Sequence, residues 1–333
     1  MRVPRPRDGE AYHMPQADMT RAELERYHPP LTRQPDFAAF WQRNLTANAA
    51  QPLDVIITPY PYPVERVSVA HVTYAGFGPN TRIAGWWIVP TAIDPALPTL
   101  VVYHGYSGSK GWPVDHLAWA LQGCRVFAVD TRGQDGDTPD NAIYPSGSAI
   151  GHMTKGIADP ETYYYKYAYL DCLRALTFVR AQTGVTTIAL TGASQGGGLS
   201  IAVAALDRGA DIVAVMPDVP FLCHFERALD MFSAGPYDEL ISYWRRHPET
   251  VTNDQHTLSY FDGMNLAPDI TAPVLMSIGL LDDVCPPSTG YATFAHIAAP
   301  KELRVYPFNR HEGGGQIHTE AKFAFVRQTV STR

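Results

Sequence analysis

The chain has 333 residues, 45% of them hydrophobic and 18% charged, a globular composition with enough apolar material for one large α/β core. Lys and Arg total 26 against 33 Asp and Glu, a formal charge of −7, and no long basic run is present, so nucleic acid and anionic membrane surfaces are not expected partners. The four cysteines (Cys124, Cys172, Cys223 and Cys285) show neither Cys-x-x-Cys nor zinc spacing, and buried free thiols are expected.

Residues 1–13 are polar and carry two prolines. They read as a flexible extension ahead of a single domain over 14–333, and they lack the apolar core of a signal peptide. No apolar run is long enough to span a bilayer, so a soluble cytoplasmic protein is expected. Two helices are expected within 18–47. Asp18 or Thr20 is placed to cap the first and Asp36 the second. Phe37, Phe40, Trp41 and Leu45 give the second helix one apolar face. Strand-like stretches follow at 66–74 and 82–89, joined by hairpin chemistry in Gly-Phe-Gly-Pro-Asn-Thr.

From residue 98 the pattern changes to continuous apolar runs alternating with helices. The runs lie at 99–103, 125–129, 186–190, 212–216, 274–278 and 303–306. Continuous runs mean strands covered on both faces, hence a mostly parallel sheet between helix layers. The stretch 220–262 breaks the alternation. It is expected to be a helical insertion over the C-terminal edge of the sheet, where such folds place their sites.

The run at 186–190 leads into Gly192-Ala193-Ser194-Gln195-Gly196 and then a helix of small residues. A serine at such a strand-to-helix turn is forced into a strained conformation that exposes its Oγ. Side chains at 192 and 196 would collide across the turn. Ser194 is therefore the candidate nucleophile. A serine hydroxyl needs an imidazole to take its proton and a carboxylate to hold that imidazole. In this fold the chain order is serine, acid, histidine.

Of the downstream histidines, His311 lies in a loop just after a strand and is followed by three glycines within Gly313–Gly315. Such a loop can drop an imidazole onto the rim of the sheet. Asp282 and Asp283 both follow the 274–278 strand, and order alone does not choose between them. An oxyanion hole needs the amide after the nucleophile, that of Gln195, and a second one. The loop His104-Gly105-Tyr106-Ser107-Gly108 offers it near Tyr106.

The combination resembles the acetyl xylan esterase/cephalosporin C deacetylase family of carbohydrate esterases, from Met14-Pro15 to near the C-terminus. The family's Arg-Gly-Gln, Gly-x-Ser-Gln-Gly and His-Glu signatures stand here as Arg132-Gly133-Gln134, Gly192–Gly196 and His311-Glu312. The resemblance implies an α/β-hydrolase fold with Ser194 as nucleophile and His311 as general base. It selects Asp282, in Gly279-Leu280-Leu281-Asp282, as the acid. It implies Tyr106 and Gln195 as amide donors to the oxyanion. Arg132, Gln134 and Glu312 are expected to support this site without touching substrate. The resemblance further implies no metal or organic cofactor, and a doughnut-shaped homo-hexamer with active sites facing an inner cavity. Its expected substrates are small acetylated saccharides and cephalosporin-type acetyl esters. His152 and Lys155 stand where the family often has Phe and Arg. Two other readings share the fold: a prolyl-oligopeptidase-like peptidase or other acyl hydrolase, and a catalytically silent scaffold.

Overall fold

Among the described residues the apolar runs assemble into one nine-stranded sheet of order β1-β2-β3-β5-β4-β6-β7-β8-β9. The strands are β1 (Ile56–Tyr60), β2 (Val67–Ala75), β3 (Arg82–Pro90), β4 (Thr99–Tyr103), β5 (Val126–Val129), β6 (Ile188–Ala193), β7 (Ile212–Asp218), β8 (Val274–Gly279) and β9 (Lys301–Tyr306). The computed structural model describes residues 18–331 except 79, 146–147, 208 and 232–234. The expected extension at 1–13 and Pro79 of the expected hairpin turn lie outside them.

From β5 to β9 all neighbours are parallel; β1, β2, β3 and β5 pair antiparallel. The central strands β4 to β8 are covered on both faces, as continuous apolar runs require. Alternate residues feed two core clusters. Val101, Tyr103 and Phe127 face one, with the helix Tyr164–Arg180. Leu100 and Val126 face the other, with Trp119 and Val326.

Two details differ from the sequence reading. β9 is an edge strand whose residues are exposed or half-buried, because no strand among the described residues lies beyond it. Asp36 occupies the N-cap of the helix Phe37–Ala50 but makes no capping bond; its carboxylate accepts from Tyr260 Oη at 2.5 Å instead. The first helix, Arg21–Leu24, is capped by Thr20 in a reciprocal pair with Glu23. Phe37, Phe40 and Trp41 are buried as the helical spacing predicts, and all four cysteines are free and buried. The 220–262 stretch forms the helices Phe225–Asp230, Tyr237–Trp244 and Val251–Ser259. No helix among the described residues is long and apolar enough to cross a membrane.

Candidate active site

β6 ends at Ala193 and the helix Gln195–Leu206 begins two residues later, leaving Ser194 alone at the turn. Its backbone sits at φ 56°, ψ −119°. That conformation is costly for a residue with a Cβ and persists only where the surroundings over-determine it. They do: Ser194 N donates to Asp218 O at 2.9 Å, while Phe221 N and Gly198 N donate to Ser194 O at 2.9 and 3.0 Å. A Cβ at Gly192 would stand 2.5 Å from Tyr103 O, and one at Gly196 would overlap the same oxygen. Both glycines are therefore required by close backbone approach.

His311 follows β9. Gly313, Gly314 and Gly315 all take positive φ, which lets the chain reverse into the final helix, Gly315–Ser331. His311 Nδ1 lies 2.8 Å from Asp282 Oδ2. A carboxylate can only accept, so Nδ1–H is the donor in this pair. Asp282 is 2% exposed, and its Oδ1 accepts the amides of Val284 and Cys285, each at 2.9 Å. Asp283 points away, its side chain 61% exposed and 3.8 Å from Arg310. The ambiguity left by chain order is thus absent from the geometry: Asp282, not Asp283, adjoins the imidazole. Glu312 braces the same loop by accepting from Asn309 Nδ2 at 2.8 Å and Arg310 N at 3.0 Å.

Ser194 and His311 line one pocket of about 490 Å³ with Gly105, Tyr106, Gly235, Pro236, Glu239 and Val284. No hydrogen bond joins Ser194 Oγ to His311 among the described residues; the Ser194 side chain interacts with the Cys285 thiol instead. Burial, reinforced by the Asp282 charge, holds that thiol well above its ordinary range, so it stays S–H.

The amides of Tyr106 and Gln195 are not taken up by backbone hydrogen bonds among the described residues. Behind them lies a partly buried polar network. Gln134 and Gln195 exchange side-chain bonds of 2.8 and 3.1 Å, and Gln134 Oε1 also accepts Ser107 N at 2.8 Å. Tyr165 Oη donates to Gln195 Oε1 at 3.0 Å, and Gln134 Nε2 donates to Tyr164 Oη at 2.9 Å. Arg132, 1% exposed, grips both oxygens of Asp171 at 2.7 and 2.8 Å and donates to Phe77 O at 2.8 Å. Arg132 thus anchors the start of the loop and Gln134 ties its end to both amide-bearing segments.

Two features were not read from the sequence. One is Glu239, on the helix Tyr237–Trp244, the sole acidic side chain on the pocket wall among the described residues. Burial raises its carboxyl above the ordinary range, outweighing the bonds it accepts. The other lies beneath the elbow. Burial would raise the Asp218 carboxyl, but Lys322 at 2.5 Å and His318 at 3.1 Å overcome this and hold it below the usual range. Elsewhere, a cavity of about 580 Å³ lies between the helices Phe37–Ala50 and Tyr164–Arg180 and contains neither Ser194 nor His311. No group of three or more His, Cys, Asp or Glu among the described residues is arranged to hold a metal.

Residues 14–329 match the model of the acetyl xylan esterase (AXE1) family. The chain belongs to this family. An acetyl xylan esterase from Paenibacillus sp. R4 is 44% identical, with a TM-score of 0.89 over 93% of this chain and 99% of that one. Acetyl xylan esterase 1 from Thermoanaerobacterium sp. JW/SL YS485 is 29% identical, with a TM-score of 0.87 over 94% and 99%. The acetyl esterase Axe7A of Xylanibacter ruminicola is 28% identical over 292 residues, 85% of this chain. The match spans 64% of Axe7A, just under two thirds of that protein's length. The chain has α/β-hydrolase architecture, a mostly parallel sheet flanked by helices with helical insertions.

Proposed function

We propose that this member of the acetyl xylan esterase family is a serine carboxylesterase that deacetylates small substrates. Acetylated xylo-oligosaccharides, other sugar acetates and cephalosporin C are the substrates this reading names. The observation that carries it is the 2.8 Å His311–Asp282 pair, whose imidazole shares one pocket with a serine on a positive-φ elbow.

Ser194 Oγ attacks the acetyl carbonyl carbon as its proton passes to His311 Nε2. The oxyanion accepts hydrogen bonds from the amides of Tyr106 and Gln195, and the positive end of the helix Gln195–Leu206 adds to their field. Collapse breaks the C–O bond to the sugar; the leaving oxygen takes the proton from His311, and acetyl-Ser194 remains. Water then enters, gives its proton to His311 and attacks the acetyl carbon. The second collapse frees acetate and returns the proton to Ser194. Through both steps Asp282 holds the imidazole and stabilises its cationic form.

We also propose that the chain is a homo-hexamer and that residues 14–333 are one domain. Self-association is supported by β1, an edge strand that leaves Ile56 52% and Ile57 47% exposed. Such an edge invites pairing with another chain.

The test is a substrate panel run with wild type and Ser194→Ala. Acetyl esters of xylo-oligosaccharides and p-nitrophenol are cleaved by wild type, peptide amides are not, and Ser194→Ala loses roughly 10⁴–10⁶-fold in rate. Acetate esters are preferred to octanoate, because a packed acyl wall resists added methylenes. An open cleft would favour octanoate instead, by about 0.8 kcal/mol per buried CH₂. Peptide cleavage, or a Ser194→Ala enzyme with full turnover, defeats the reading.

A further inference from the structure

The loop carrying the Tyr106 amide is under backbone strain. Ser107 sits at φ 55°, a region that side-chain-bearing residues seldom enter and hold only when the surroundings fix them. From the core side the fixing groups are clear. Gln134 Oε1 accepts Ser107 N at 2.8 Å, and His104 Nδ1 donates to Gly105 O at 2.8 Å. His104 Nε2 accepts Thr131 N at 2.8 Å, which sets that tautomer.

On the opposite side stands one carboxylate. Tyr106 Oη donates to Glu239, 2.7 Å from Oε1 and 2.9 Å from Oε2. The same hydroxyl accepts His152 N at 2.6 Å, and Glu239 Oε2 accepts Met153 N at 3.0 Å. The carboxylate also packs directly on the backbone at Gly151, where a Cβ would overlap it. The Tyr106 ring is flanked by Phe221 and His152. Glu239 thus joins three segments that are far apart in sequence: the oxyanion loop, residues 151–153 and the insertion.

We propose that Glu239 is a positioning residue for the oxyanion hole: by holding the Tyr106 hydroxyl it fixes the Tyr106 backbone amide where the acetyl oxygen becomes negative. This rests on the esterase reading above. Glu239 lines the pocket, but its oxygens are already engaged by Tyr106 and Met153. Its grip is on the loop rather than on substrate. Such a brace acts on the tetrahedral state, in which the oxyanion bonds are strongest, and little on ground-state binding.

The experiment is steady-state kinetics on p-nitrophenyl acetate with Glu239→Ala, Glu239→Gln, Tyr106→Phe and the double variant Glu239→Ala/Tyr106→Phe. Asp238→Asn serves as control; that carboxylate, on the same helix, bonds Ser242 instead. Glu239→Ala and Tyr106→Phe are each expected to lose about 10–100-fold in kcat with KM held within about threefold. The double variant is expected to be no worse than the worse single one, because both remove the same bond. Glu239→Gln keeps an acceptor for the tyrosine and recovers most of the loss. If Glu239→Ala does not fold, Tyr106→Phe, which deletes one hydroxyl from a part-buried ring, carries the test.

Wild-type kcat in both single variants, losses confined to KM, or additive losses in the double variant overturn the proposal. Activity that depends on Ser194 but ignores Glu239 and Tyr106 removes this inference alone. Wild type without acetyl ester hydrolysis removes the esterase reading and this inference with it.

Discussion

Asp282 and Asp283 are neighbours in sequence, yet exchanging each for asparagine is expected to have opposite consequences. In Asp282→Asn the side-chain oxygen can still accept the amides of Val284 and Cys285, which now bond Asp282 Oδ1 at 2.9 Å. The turn therefore survives. The amide nitrogen then faces His311 Nδ1, which at present donates to Asp282 Oδ2 over 2.8 Å. Two donors cannot share that bond, so the imidazole moves its proton to Nε2 and has no lone pair there to take the Ser194 proton during attack. The corresponding aspartate-to-asparagine change in trypsin lowers kcat by about 10⁴, and a loss of about 10³–10⁴ is expected here. Asp283 is 61% exposed and its partner, Arg310, is 3.8 Å away. An exposed pair of that kind adds little to stability, and Asp283 does not adjoin the imidazole, so Asp283→Asn should alter kcat less than about twofold. The gap between the variants is then about 4–5 kcal/mol of transition-state stabilisation. It is read from kcat/KM on p-nitrophenyl acetate, with thermal unfolding confirming that both variants fold. Equal losses, or the greater loss at Asp283, would refute the reasoning.

Other variants probe the supporting structure. Arg132→Ala strands the Asp171 carboxylate, 2% exposed, without its cation. Breaking a buried pair from one side costs about 3–5 kcal/mol, or roughly 4–7 °C in Tm for a chain of this size; calorimetry showing no change would contradict that role. His152→Phe addresses pH dependence. Burial, with Lys155 beside it, lowers the His152 imidazole to about 4. An unfolded imidazole titrates near 6.5, so between roughly pH 4 and 6.5 the unfolded chain binds the extra proton. Folding stability attributable to His152 is full above that window and is lost as pH falls through it. His152→Phe should therefore decline less in Tm than wild type between roughly pH 6.5 and 4.5; parallel curves would exclude the effect.

The elbow is readable in the sequence because all its requirements are local. An apolar strand, two glycines that backbone contacts demand, and a small-residue helix lie within one continuous stretch around Ser194. His311 is readable for a similar reason, in the glycine run that turns the chain behind it. The choice between Asp282 and Asp283 is not local in this sense. It depends on which side chain the Val284 and Cys285 amides draw inward, and chain order carries no trace of that. Glu239 is hidden for a different reason. Beside Asp238 at the start of a helix, it has the pattern of a solvated acid favoured by the helix dipole. Its partner Tyr106 is 133 residues away. Asp36 misleads in the same way: it occupies a capping position, but its oxygen is claimed by Tyr260 from another part of the chain. β1 gives no burial periodicity, since all five of its residues are exposed.

The covalent intermediate tests the central claim most directly. Wild type is mixed with a saturating acetyl ester, acid-quenched during turnover, digested and mapped by mass spectrometry. The account predicts one acetyl group on the peptide containing Ser194, absent in Ser194→Ala and discharged when turnover is allowed to finish. Undiminished ester hydrolysis with that peptide unmodified, or acetyl transfer to a different side chain at the rate of turnover, would contradict it.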